Sequence, residues 1–155
     1  MAVNGTRNSP IVTVKAPRPR EDEIDNRPMV LVVDDESAIA DTVVKILNLS
    51  GYAAVAAYDA DEALETALIS PPSLLITDVI LPGKNGIELA ITIKRIYPEC
   101  KTLLFSGQAS TADVMASANR AGYRFTLLNK PVPPQKLLQM VEENLGNSAV
   151  LSEAN

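Results

Sequence analysis

Leu74-Leu75-Ile76-Thr77-Asp78-Val79-Ile80-Leu81-Pro82-Gly83-Lys84-Asn85-Gly86 runs from an apolar stretch, through one carboxylate, into a turn. The run Leu74 to Thr77 is short and lacks polar alternation, so it reads as a strand buried on both faces. It ends at Asp78. Val79 to Asn85 reads as a loop punctuated by Pro82 and Gly83. Gly86 to Tyr97 reads as a helix stopped by Pro98, with Gly86 allowing close backbone approach at its start.

The same rhythm extends outward in both directions. Upstream, Met29 to Val33 is a continuous apolar strand. Ser37 to Leu49 carries Ile39, Val43, Ile46 and Leu47 at helical spacing and is stopped by Ser50 and Gly51. Tyr52 to Ala57 is a weaker strand. Asp59 then caps a helix through Ala63, Leu64, Ala67 and Leu68, which ends at Pro71 and Pro72. Downstream, Lys101 to Phe105 is a strand followed by Ser106-Gly107-Gln108. Ser110 and Asp113 form a capping-box pattern that opens a helix to Ala121. Phe125 to Leu128 is a strand followed by Asn129-Lys130-Pro131. Pro133 and Pro134 open a last helix that ends near Leu145 and Gly146.

Five strand–helix units with apolar strands imply an α/β fold. The expected architecture is a doubly wound, five-stranded parallel sheet in the order 2-1-3-4-5, with helices on both faces. Sites in such sheets lie at the carboxyl ends of the strands. Asp34, Asp35 and Glu36 follow the first strand, Asp78 the third, Ser106 and Gly107 the fourth, and Lys130 the fifth. Carboxylates gathered in one pocket repel unless a cation is present. Mg²⁺ prefers oxygen ligands and uses one or two carboxylates plus phosphate. An aspartate beside it can act as a nucleophile and form an acyl phosphate. Lys130 supplies a point charge for a phosphoryl oxygen, and Ser106 a hydroxyl.

Composition excludes several classes. The 155 residues are 46% hydrophobic and 21% charged, which suits one domain. Without histidine there is no His-based metal site, no Ser-His-Asp or Cys-His pair, and no phosphohistidine donor. Cys100 is the only cysteine, so an internal disulfide is impossible. A net charge of −5 argues against non-specific nucleic-acid binding. No apolar run approaches the roughly 20 residues that span a membrane, and Met1 to Pro10 lacks an apolar signal region. A cytoplasmic location is expected. Residues 1–27 read as a disordered tail with a basic run, an acidic run and a short apolar patch at Ile11 to Val14. Residues 28–145 read as the domain, and residues 146–155 as a short flexible tail.

The segments VLVVDDE, LLITDVILPGKNG, TLLFSG and LLNKP, in this order and spacing, resemble the receiver domain of bacterial response regulators. The resemblance covers about Pro28 to Leu145. It implies that Asp78 is the phosphoacceptor and that Asp35 is the direct Mg²⁺ ligand. Asp34 would be its acidic neighbour, and the Ile80 carbonyl a third protein ligand. Ser106 is similar to the hydroxyl residue that moves to the phosphate. Lys130 is similar to the family's lysine, and Pro131 follows it in a Lys-Pro bond that is often cis. A histidine kinase or phosphotransfer protein is the implied donor. A downstream protein is the implied receiver of the signal, with neither nucleic acid nor membrane as partner, and the chain a monomer or weak homodimer. The short segment after Leu145 suggests a stand-alone receiver that signals by protein contact.

The chain departs from the family pattern at two places. Leu127 stands where an aromatic ring often reports phosphorylation, and leucine cannot present a ring edge. Ile80 stands where polar side chains help a water attack the acyl phosphate, which leaves Gln108 to orient that water. Leu127 also suggests an alternative, a receiver-fold binding module that works without phosphorylation. A second alternative is a phosphohydrolase of the haloacid dehalogenase type. Val33-Asp34-Asp35 does not fit the D-x-D of those enzymes. Each site residue also has a plain structural reading: Asp34 and Asp35 as a helix cap, Asp78 and Ser106 as turn residues, and Lys130 as a solvated charge.

Overall fold

The computed structural model describes residues 27–107 and 112–146. In chain order these form β1 (Met29–Val33), α1 (Ser37–Leu49), β2 (Ala53–Ala57), α2 (Ala60–Ile69) and β3 (Leu74–Asp78). They continue with α3 (Gly86–Ile96), β4 (Lys101–Ser106), α4 (Ala112–Arg120), β5 (Thr126–Asn129) and α5 (Pro134–Leu145). All five strands are parallel, in the order β2-β1-β3-β4-β5. This is the doubly wound arrangement expected from the alternation of apolar and amphipathic segments.

The strands lack polar alternation because each serves two cores. Val30, Val32, Leu74, Ile76, Leu103 and Phe105 face a cluster with Ala40, Val43 and Leu47 of α1 and Leu137 and Val141 of α5. Leu31, Val33 and Leu75 face the other way, against Ala60, Ala63 and Ala67 of α2 and Leu89, Ala90 and Ile93 of α3. Leu104 joins Val79, Ile87 and Ala118 beneath α4. Leu74, Leu75, Leu103 and Leu104 are fully buried, each contributing about 2 kcal/mol of hydrophobic stabilisation.

Helix ends follow local chemistry. Asp59 accepts from the Glu62 N–H at 2.8 Å, capping α2 as its position implies. Asn85 accepts from the Glu88 N–H at 2.8 Å, and the Glu88 carboxylate accepts from the Asn85 N–H at 3.3 Å. That reciprocal box starts α3. Pro134 opens α5, and Gly146 closes it in a left-handed conformation with φ 75°.

Three strands end one residue later than their apolar runs suggest. Asp78 pairs with Phe105 and Ser106 with Asn129, so the ladders carry β3, β4 and β5 through their polar ends. Phe125 lies outside β5 and stacks on Tyr123, with ring centroids 6.1 Å apart. The expected tails, apart from Arg27 and Gly146, lie outside the described residues, as do Gln108 and the Ser110 half of the capping box. Among the described residues no helix is long and apolar enough to cross a membrane.

Candidate functional site

The carboxyl ends of β1, β3, β4 and β5 bring Asp34, Asp35, Asp78, Ser106 and Lys130 to one edge of the sheet. Parallel pairing is the cause, since it aligns every strand's exit on the same side. Asp34 is buried, Asp78 partly buried, and Asp35 exposed. One carboxylate oxygen from each lies within 4.8 Å of the others.

Lys130 holds the cluster together. Its Nζ donates to Asp34 Oδ2 at 2.9 Å and to Asp78 Oδ2 at 3.0 Å. Burial pulls the ammonium's pKa down. Its hydrogen bonds to Asp34 and Asp78, with their negative charge, outweigh that and hold it above the ordinary lysine value. Its backbone is fixed too, because the Lys130 N–H donates to the Ser106 carbonyl at 2.8 Å. The Lys130–Pro131 peptide is cis.

The other carboxylate oxygens of Asp34 and Asp78 are also committed. Asp34 Oδ1 accepts from the Glu36 N–H at 2.9 Å, and the Asp34 N–H donates to the Ala57 carbonyl at 3.2 Å. Asp78 Oδ1 accepts from the Ile80 N–H at 3.2 Å. The helix-cap reading of Asp34 and Asp35 does not hold: Glu36 occupies the N-cap of α1, with no side-chain cap bond. Lys130 is an ion-pair partner rather than a solvated charge. Ser106 is 2% exposed at the end of β4, and Ile80 is 49% exposed beside Asp78. Leu127 is partly buried against the α4 cluster with Val114, Met115 and Phe125.

Three carboxylates facing one ammonium leave a formal charge of −2 in a pocket of hard oxygen donors. That donor set fits a divalent cation such as Mg²⁺.

Two side-chain hydrogen bonds, one of them beside Asp78, were not legible in the sequence. Thr77 is fully buried, and its hydroxyl donates to the Asp78 carbonyl at 3.0 Å. Nothing in an apolar strand marks a threonine as more than a β-branched filler. Tyr58 follows β2 and donates to Asp41 Oδ1 of α1 at 2.6 Å. That contact spans 17 residues and has no local signature.

Comparisons with known proteins agree with this geometry. The family model for the response regulator receiver domain matches residues 30–142. The nitrogen assimilation regulatory protein NtrX of Azorhizobium caulinodans is 36% identical over 118 residues, covering 75% of this chain and 26% of that protein. The hydrogenase transcriptional regulatory protein HoxA of Cupriavidus necator is 32% identical over 120 residues, covering 77% and 24%. The chain therefore spans about a quarter of the length of these curated relatives. Among solved structures, a CheY-like receiver domain protein from Methanospirillum hungatei superposes with TM-score 0.72 at 30% identity, covering 79% of this chain and 96% of that one. The receiver domain of NtrX from Brucella abortus superposes with TM-score 0.67 at 34% identity, covering 77% and 99%. With the matched fold, the matched residues and the strand-end carboxylates in place, the chain belongs to the response regulator receiver domain family.

Proposed function

We propose that this chain takes a phosphoryl group onto Asp78 from a phosphohistidine donor and passes the signal on by protein contact. The observation that carries this reading is the convergence of Lys130 Nζ on Asp34 and Asp78, within a carboxylate cluster that spans 4.8 Å. In the transfer, an Asp78 carboxylate oxygen attacks phosphorus and the P–N bond to the donor imidazole breaks, its electron pair leaving on the ring nitrogen. Asp35, Asp34, Asp78 and the Ile80 carbonyl would hold Mg²⁺, which supplies charge neutralisation for the transferring group. Lys130 already stands 3.0 Å from the acceptor carboxylate and neutralises a second share of that charge. Ser106 donates its hydroxyl to the phosphoryl oxygens.

Family membership favours this reading over a phosphohydrolase. The donor would be a histidine kinase or a phosphotransfer protein, and the site of action the cytoplasm. The test is incubation with acetyl phosphate and Mg²⁺, followed by intact mass. One phosphoryl adduct, labile to hydroxylamine and lost in Asp78→Asn, is expected. Wild type without an adduct, in the presence of either acetyl phosphate or a cognate kinase, would point to the phosphorylation-independent binding module.

A further inference from the structure

We propose that Thr77 is a positioning residue for the reaction at Asp78: its hydroxyl fixes the Asp78 carbonyl, against which the backbone at the start of α3 packs. The inference rests on the proposed phosphoryl transfer.

Thr77 sits one residue before the end of β3 and is fully buried. Strand alternation turns its side chain to the Leu75 face, toward α2 and α3, and away from the face of Asp78. A buried hydroxyl needs a partner, and this one donates to the Asp78 carbonyl at 3.0 Å.

Gly86 closes the same contact from the other side. A Cβ on Gly86 would run into the Asp78 carbonyl oxygen and come within 3.0 Å of Thr77 Oγ1. The backbone of α3 therefore rests directly on this hydroxyl–carbonyl pair. The Gly86 N–H donates to the Val79 carbonyl at 2.7 Å, and the Val79 N–H donates to the Phe105 carbonyl at 2.9 Å. Ile80 N–H in turn holds Asp78 Oδ1 at 3.2 Å. Each end of the loop is pinned, and the Thr77 hydroxyl is the one side-chain donor among these contacts.

Shape alone does not account for threonine here. Valine has the same outline and a similar preference for strands. The hydroxyl adds a fixed direction for the Asp78 carbonyl. Through the peptide plane, that sets where the carboxylate and the next carbonyls point. Small misplacements of reacting groups are costly in rate.

The test compares the wild-type 155-residue chain with Thr77→Val and Thr77→Ser. Three quantities are read: the rate of acyl-phosphate formation from acetyl phosphate at saturating Mg²⁺, amide hydrogen exchange at Gly86 without metal, and the melting temperature. Thr77→Val should form the phospho-species about fivefold more slowly, the equivalent of one net hydrogen bond. Its Gly86 amide should exchange faster, and Thr77→Ser should restore both. An unchanged rate in Thr77→Val, whatever the Gly86 exchange, would overturn the proposal. So would a slowing that Thr77→Ser does not rescue and that follows the melting temperature, which would mark a packing role. If wild type itself forms no adduct, the proposed function fails and this inference with it. A reactive wild type with an equally reactive Thr77→Val sinks the Thr77 assignment alone.

Discussion

Lys130 Nζ stands 2.9 Å from Asp34 Oδ2 although 96 residues separate the two in the chain. Asp34 is nearly buried, so this ammonium compensates a carboxylate that has lost most of its water. Removing one partner of such a pair leaves an uncompensated charge.

Lys130→Met should therefore destabilise the metal-free protein at pH 7, by about 1–3 kcal/mol. The sign with pH follows from the raised value of Lys130 in the fold. Its contribution is fully present below the ordinary lysine value near 10.5. It is lost as pH rises through the higher folded value. Urea melts of wild type and Lys130→Met should thus converge at strongly alkaline pH and differ most near neutrality. A gap that widens above pH 11 would contradict the ion-pair account.

Asp35 is the exposed member of the carboxylate cluster, while Glu36 is outside it. Asp35→Ala should weaken Mg²⁺ binding much more than Glu36→Ala, because carboxylate count governs affinity for a hard cation. Without metal, the same substitution relieves repulsion and should raise the melting temperature, an advantage that added Mg²⁺ abolishes. Equal Mg²⁺ midpoints for the two variants, by calorimetry, would show the ligand to be misassigned.

Ile80 exposes 49% of its surface beside Asp78 and brings no donor or acceptor on its side chain. A water held in line behind phosphorus would have to be oriented by another group. The phospho-form should decay slowly, and Ile80→Asn should speed the decay about fivefold, the worth of one good hydrogen bond. Loss of label in Mg²⁺ without kinase reads this directly. Equal or slower decay in the variant would place control of lifetime elsewhere.

Cys100 is 2% exposed, and burial pushes its thiol up to about 11, against a smaller opposing pull from Lys94. Below pH 9 both folded and unfolded chains keep the proton. Between 9 and 11 only the unfolded chain releases it, so stability falls with pH over that window. The difference in unfolding free energy between wild type and Cys100→Ala should shift by on the order of 2 kcal/mol across it, against wild type. A pH-independent difference would mean that the thiol ionises freely in the folded protein.

The order of elements and the identity of the strand-end residues were legible in the sequence because they rest on local rules. A doubly buried strand has no polar alternation, a helix has its 3.6-residue stripe, and proline and glycine punctuate both. The bounds of α1, Ser37 to Leu49, follow from those rules to the residue. The Asn85–Glu88 box obeys an equally local pattern and was there to be read. The limits of β3, β4 and β5 were not, because a strand ends where its neighbour stops pairing, and the pairing of Asp78 with Phe105 or Ser106 with Asn129 depends on register. Which charges meet is a further step removed. Sequence placed Lys130 at the right edge. Only the folded sheet decided that its ammonium would bridge Asp34 and Asp78, and that Thr77 would spend its hydroxyl on the Asp78 carbonyl. Such contacts are set to a few tenths of an ångström by strand order and helix docking, distances that no periodicity along the chain encodes.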